Sequence, residues 1–197
     1  MVQYMDKKVG QLVNKINAMG IADNTVIMFL ADNGTPNNIV SMFRGEEIDG
    51  GKGTTTQYGT HVPFIVYSPG NIPAASVNNN LVDLTDFMPT FSDITHVSIP
   101  AYYGILDGVS FYSSLKNPLL QGRDWTFCHW LPPTVTPRLH RWAQTTNYKL
   151  YDSTDGNRFF DIVTDPWEEF PINKKDMTDE QKNARDELQS VINQMHN

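Results

Sequence analysis

The stretch NTVIMFLADNG, Asn24 to Gly34, decides how the rest of the chain is read. Its core, TVIMFLA, is a continuous β-prone apolar run without polar alternation, the pattern of a strand buried on both faces of a sheet, as in parallel α/β folds. The run stops at Asp32, Asn33 and Gly34. Ligands gather at the carboxyl ends of strands in such sheets, and these are the first residues past that end. A carboxylate beside an amide carbonyl offers hard oxygen donors, suited to Ca²⁺ or Mg²⁺ and unsuited to a thiophilic metal. Asn-Gly is equally a strong turn signal, so a plain turn accounts for the same residues.

Upstream, Met5, Val9, Leu12, Val13, Ile16 and Met19 fall at helical spacing, predicting an amphipathic helix from Val2 to Met19 that Gly20 ends. Downstream, a glycine-rich polar segment from Thr35 to Thr60 contains DGGKGTTTQYGTH, and VPFIVYSPG then reads as a second buried strand. LVDLTDFMPTFSDI predicts a helix with Asp86 as its cap and Pro89 in its first turn. After Gly122 the texture changes. Aromatic-rich segments (Trp125 to Trp130, Trp142 to Tyr151, Arg158 to Ile162) alternate with turns such as Asp155-Gly156-Asn157, predicting a small antiparallel sheet. Thr178 and Gln181 form a capping box for a last helix whose stripe is Ala184, Leu188, Val191, Ile192 and Met195. The predicted organisation is an α/β part over residues 1–121 and a smaller α+β lobe over 122–197.

The 197 residues are 40% hydrophobic with four Trp, eight Tyr and ten Phe, enough for a packed core. A net charge of −7 without a Lys/Arg run argues against nucleic acid and against a polybasic membrane patch. No apolar run reaches the ~20 residues that span a bilayer, and the charged N-terminus does not fit a signal peptide. Cys128 is the only cysteine, so an internal disulfide and a cysteine-rich metal site are excluded.

Lys52 is the second candidate for chemistry. Glycines on both sides leave room for an anion to approach the backbone N–H groups and the ammonium, while a mobile polar loop explains the composition equally well. Gly53 after the lysine breaks the phosphate-loop pattern. His61 precedes the second strand, where it can face the same site, although a lone histidine is more often structural or merely exposed. Cys128 and His129 are neighbours on a strand, so they point to opposite faces and make a poor nucleophile–base pair. Arg138, His140 and Arg141 offer an acid-binding patch, though a solvated loop or ion pairs between the lobes account for them better.

NTVIMFLADNG, GGKGTTTQYGTHVPFIVYSPG, LVDLTDFMPT and LDGVSF resemble, in that order, the second half of the type I sulfatases, formylglycine-dependent arylsulfatase-like hydrolases of the alkaline phosphatase superfamily. The closing YKLYDS…FFDIVTDPWEE is similar to their C-terminal segment, so the resemblance covers nearly the whole chain. It implies part of a doubly wound alkaline-phosphatase-like α/β sheet followed by a small α+β lobe with antiparallel strands and a terminal helix. It also implies Asp32 and Asn33 as ligands of a divalent cation, Ca²⁺ with Mg²⁺ as the alternative, Lys52 as a sulfate contact, and a sulfated small molecule or glycan as substrate. A periplasmic, secreted or lysosome-like location follows from the same likeness. Where the family often reads K-G-T-T-Y-E-G-G-x-R-V-P, this chain has Gln57, Tyr58 and His61 in place of the acid, the first glycine and the arginine, so substrate preference does not transfer.

Formylglycine is made from Cys or Ser in a [CS]-x-P-x-R context. Cys128 is followed by HWLP, and SIPAY from Ser98 carries Tyr102 where arginine is required. Asp32 and Asn33 also fall short of the ~6–8 oxygens Ca²⁺ takes. The expectation is therefore a C-terminal sulfatase portion, inactive alone, whose partner is an N-terminal half supplying the formylglycine and the remaining ligands. The alternatives are a phosphodiesterase or phosphonate hydrolase of the same superfamily, or a non-catalytic anion- or glycan-binding module using Lys52 and Arg138 to Arg141.

Overall fold

In the computed structural model, which describes residues 1–43 and 45–195, the chain forms a mixed α/β fold with three small sheets and a terminal helix. This matches an alkaline-phosphatase-like α/β architecture followed by a small α+β lobe. Helix α1 (Val2–Ala18) ends at Gly20, whose φ of +68° suits a residue without a side chain. No residue of α1 is buried, and Leu12 on its apolar stripe is 50% exposed.

Strands β1 (Ile27–Leu30) and β4 (Phe64–Tyr67) pair with each other, from Ile27 opposite Tyr67 to Leu30 opposite Phe64. Their pairing is antiparallel, a correction to the parallel arrangement read from the apolar runs. Parallel pairing needs a crossover that carries the chain back along the sheet, usually on a helix. Between β1 and β4 the chain instead makes a β2 (Val40–Phe43) and β3 (Glu46–Asp49) hairpin and the four-residue helix α2 (Gln57–Thr60). Burial differs too: β1 is only half-buried, and β4 alternates, with Ile65 and Tyr67 outward. The β2–β3 hairpin lies within the segment read as a polar loop.

After β4, Asp83 caps a turn of 3-10 helix over Leu84–Asp86 that runs into α3 (Phe87–Thr95), so the predicted capping by Asp86 moves to Asp83. Asp86 does different work. Its buried carboxylate accepts the Asp83 N–H at 2.8 Å, the Val109 N–H at 2.7 Å and Arg123 Nη1 at 2.8 Å. Thr90, fully buried, donates to the Asp86 carbonyl at 2.7 Å and accepts the Phe111 N–H at 3.1 Å. The TDFMPT and DGVSF segments are thereby pinned together, and Phe64, Phe87 and Phe111 pack edge to face or tilted between them at 5.4–5.6 Å. The short helix α4 (Tyr112–Lys116) follows.

Among the described residues, the two clusters of buried apolar side chains both lie in the second lobe. Strands β5 (Thr126–Trp130), β6 (His140–Gln144), β7 (Tyr148–Tyr151) and β8 (Phe159–Asp161) form one antiparallel sheet in sequence order, as the aromatic segments predicted. Helix α5 (Asp179–Met195) covers one face, burying Leu188, Val191 and Ile192 against Ala143, Leu150 and Phe159. Those three side chains contribute about 5–9 kcal/mol at ~1.5–3 each. The Thr178–Gln181 capping box is present, with reciprocal bonds of 2.9 and 3.2 Å. No helix among the described residues is long and apolar enough to cross a membrane.

Candidate functional site

Asp32 and Asn33 lie in the turn directly after β1, Asp32 exposed and Asn33 half-buried. Two backbone bonds lay this turn against the glycine-rich loop. The Gly34 N–H donates to the Gly59 carbonyl at 3.0 Å, and the Lys52 N–H donates to the Thr35 carbonyl at 2.9 Å. Approach this close requires glycine. A Cβ on Gly51 would lie 2.6 Å from the Tyr58 carbonyl carbon, and one on Gly59 would lie 2.3 Å from the Thr54 oxygen.

The loop is closed on itself by the Thr54 N–H and hydroxyl, both donating to the Gly51 carbonyl at 2.9 and 2.8 Å. Its turn around Gly53, at φ +81°, leaves Lys52 exposed. Among the described residues, the side chains of Asp32, Asn33, Lys52 and His61 have no hydrogen-bond or ion-pair partner. His61 is exposed at the end of α2, its N–H bonded to the Gln57 carbonyl at 2.8 Å.

Asp32 and Asn33 fit a hard cation in the chemistry of their oxygens, though their side chains supply at most three oxygens where Ca²⁺ takes about six to eight. Among the described residues, no group of three or more His, Cys, Asp and Glu side chains is placed to hold a metal ion. Two surface clefts, of about 260 Å³ beside Asp152, Asn157 and Gln189 and about 330 Å³ beside Asp83, Asp107 and Arg123, include neither Asp32 nor Lys52 in their walls.

The face of the four-stranded sheet opposite α5 meets the Lys52 loop. Lys149, fully buried on β7, donates to Glu168 Oε1 at 2.8 Å and to the Thr55 carbonyl, with its ammonium 4.5 Å from the Trp142 ring centre. The Tyr151 hydroxyl lies 2.5 Å from Glu168 Oε2 and 2.7 Å from Thr55 Oγ1. A carboxylate only accepts, so the phenol proton goes to Glu168 and Thr55 donates its own to the phenol oxygen. Burial, then the Glu168 charge, push the Tyr151 pKa up and keep the phenol protonated. Burial lowers the Lys149 pKa, with Glu168 acting against it. Tyr58 stacks on Trp167 at 3.8 Å.

Glu168 itself has φ +59°, unusual for a side-chain-bearing residue. The Asp165 carboxylate holds the turn in that shape by accepting the Glu169 and Phe170 N–H groups at 3.0 and 2.8 Å. Sequence reading missed this cluster. The signal available was a lysine within the aromatic strand YKLY, where a solvated charge is out of place.

Arg138, His140 and Arg141 pair inside the second lobe and not between the lobes, and Arg138 remains largely exposed on its loop. Arg138 and His140 meet Asp155 at 3.0 and 2.9 Å, and Arg141 meets Asp152 at 2.7 Å. Cys128 is half-buried against Trp142, Tyr151 and Phe160. Burial, with a smaller push from Asp83, raises its pKa to about 11. At pH 8, iodoacetamide is expected to modify Cys128 about a hundredfold more slowly than a free cysteine, because the thiolate is the reactive form. Labelling at the free rate would contradict this placement.

Comparison with known proteins yields two family models, Sulfatase over residues 1–97 and N-sulphoglucosamine sulphohydrolase, C-terminal, over residues 53–196. An arylsulfatase of Clostridium perfringens is 25% identical over 179 residues, covering 85% of this chain and 33% of that protein. An N-acetylglucosamine-6-O-sulfatase of Bacteroides thetaiotaomicron is 27% identical, covering 85% of this chain and 30% of its own length. Among solved structures, a protein in complex with its substrate D-glucosamine-2-N,6-O-disulfate superposes with a TM-score of 0.77 at 24% identity, over 98% of this chain and 39% of that one. The chain thus spans about a third of the length of these curated relatives.

Proposed function

Since this chain belongs to the sulfatase family, within the alkaline phosphatase superfamily of hydrolases, we propose that it is the C-terminal portion of a sulfuric ester hydrolase acting on a sulfated sugar. In this reading residues 1–121 complete the catalytic α/β domain and residues 122–197 form its small C-terminal subdomain. Asp32 and Asn33 hold a divalent cation, most simply Ca²⁺, together with ligands from an N-terminal half. Lys52 contacts the sulfate group, and His61 stands at the rim. One observation carries the reading. The backbone bonds from Gly34 to Gly59 and from Lys52 to Thr35 join the Asp32–Asn33 turn to the Lys52 loop, and the side chains of both remain unengaged.

The chemistry follows from charge. In sulfate-ester cleavage negative charge grows on the nonbridging and leaving oxygens, and a preorganised ammonium aimed there lowers the barrier. When bound, a cation supplies Lewis-acid polarisation of the same oxygens. Lys52 binds and orients the sulfate, while Asp32 and Asn33 contribute oxygen ligands. A formylglycine nucleophile would come from the N-terminal half, because neither Cys128 nor Ser98 stands in the maturation context. A sulfated sugar is favoured as the broad substrate class by the names of two of the similar proteins, while the choice of sugar does not transfer, since Gln57, Tyr58 and His61 depart from the family pattern. The uncovered stripe of α1 and the two-stranded β1–β4 sheet support an N-terminal half as partner, since neither is a self-sufficient layer. A periplasmic, secreted or lysosome-like compartment belongs to the same proposal.

The 197-residue chain is expected to show no turnover of a chromogenic aryl sulfate in Ca²⁺, yet to bind glucosamine 6-sulfate weakly. Lys52→Ala should weaken that binding roughly fivefold, the size expected for one exposed charge-assisted contact. Turnover by the purified chain that Asp32→Ala abolishes would overturn the claim of inactivity. Affinity indifferent to Lys52→Ala would remove the sulfate contact.

A further inference from the structure

We infer that Lys149, Tyr151 and Glu168 are positioning residues that set where the Lys52 loop stands, acting through Thr55. The inference rests on the reading of Lys52 as a sulfate contact. Thr55 lies three residues beyond Lys52 and is the point at which the second lobe grips the loop by both its carbonyl and its hydroxyl. These bonds connect residues 94 and 96 positions apart, so they are not a by-product of local turn geometry.

The arrangement goes beyond what an internal ion pair requires. A buried ammonium needs acceptors for its three donors, and Glu168 Oε1 satisfies one. The Thr55 carbonyl takes another, and the Trp142 and Tyr151 rings face the ammonium at 4.5 and 4.9 Å. Withdrawing the loop would take one acceptor from an ammonium that is fully buried while the loop is in place. Glu168 orders both Lys149 and Tyr151, one with each carboxylate oxygen, and it is held in place by the left-handed turn that Asp165 clamps. A strained residue in that position is the kind found where geometry serves a site.

On the other side of Thr55, the loop's own Gly51–Thr54 bonds and the Lys52–Thr35 bond carry the constraint to Lys52. The loop contains Gly51 and Gly53, which alone would leave it several conformations. The clamp selects one of them, with the Lys52 backbone beside the Asp32–Asn33 turn.

The test measures amide hydrogen exchange across the 197-residue chain in wild type, Tyr151→Phe, Thr55→Val and Thr55→Ser. Tyr151→Phe and Thr55→Val each delete a hydroxyl while keeping side-chain bulk. Exchange at residues 52–60 should rise about tenfold in both, the scale of one lost hydrogen bond, while amides of β6 and β7 stay unchanged. Thr55→Ser, which retains the hydroxyl, should stay within about twofold of wild type by the same reasoning. Unchanged loop exchange, or equal acceleration of loop and sheet, would overturn the positioning role and leave only a stabilising ion pair.

A second arm titrates inorganic sulfate and follows loop protection. Sulfate should protect the loop in wild type and Thr55→Ser, less in Thr55→Val, and not in Lys52→Ala. Loop acceleration without any sulfate protection sinks the Lys52 reading and, with it, the functional meaning of the clamp. Sulfate protection that depends on Lys52 but not on Thr55 or Tyr151 sinks the clamp alone.

Discussion

Replacing Asp86 by alanine is expected to cost about 3–5 kcal/mol of folding stability, the range for removing one partner of a buried ion pair. The side chains of Asp86 and Arg123 are 1% and 6% exposed, so the guanidinium left behind has little access to water. Its Nε is already a buried atom without a partner. The Asp83 and Val109 N–H groups would lose their acceptor at the same time. The damage should reach both parts of the chain, because Asp86 joins the start of α3 to the DGVSF segment and to Arg123, three residues before the second lobe's first strand. Urea unfolding followed by tryptophan emission would show a midpoint lower by roughly 1.5–2.5 M, taking a slope near 2 kcal/mol/M. Asp83→Ala is the control, since it removes a helix cap and should cost about 1 kcal/mol. If the two variants are equally stable, Asp86 is not the node described.

That node shows how far local reading reaches. TDFMPT announced a helix start, and the helix is there, but the acid three residues earlier does the capping. Two aspartates near one helix start present the same local signal. Only the tertiary partners, Val109 and Arg123 at 23 and 37 residues' distance, distinguish them. The last helix was fully legible because its cap and its stripe are both local patterns. The antiparallel sheet was legible because aromatic runs alternate with turns.

Strand direction in the first lobe was not legible. An apolar run records burial, and the sense of pairing depends on the connection between strands, which here hides a hairpin and one helical turn. The candidate site divides in the same way. Asp32, Asn33 and Lys52 announce themselves by type and by flanking glycines. Lys149, Tyr151 and Glu168 look like parts of an ordinary strand and turn until the fold sets them under Thr55.

Gly34→Ala should have the largest effect on the loop itself. A Cβ at this position would lie 1.9 Å from the Tyr58 carbonyl oxygen, and that neighbour is backbone, which no rotamer change can move aside. The constraint is space and not dihedral freedom, since Gly34 is not among the positive-φ glycines. The Asp32–Asn33 turn and the Lys52 loop must therefore separate, breaking the Gly34–Gly59 bond and straining the Lys52–Thr35 bond. Overpacking of this kind costs about 1–3 kcal/mol, which for a locally opening segment is on the order of thirtyfold in the open population at ~2 kcal/mol. Trypsin reads that population directly, because Lys52 is the loop's own cleavage site and cutting requires the backbone to leave its hydrogen bonds. Cleavage after Lys52 should accelerate by about that factor in Gly34→Ala, while cleavage within α5 stays at the wild-type rate. Gly10→Ala, where an added Cβ meets nothing within 4 Å, should leave both rates unchanged. If Gly34→Ala is cut no faster than Gly10→Ala, the turn and the loop are not held in contact, and the cation and sulfate contacts proposed on them lose their common frame.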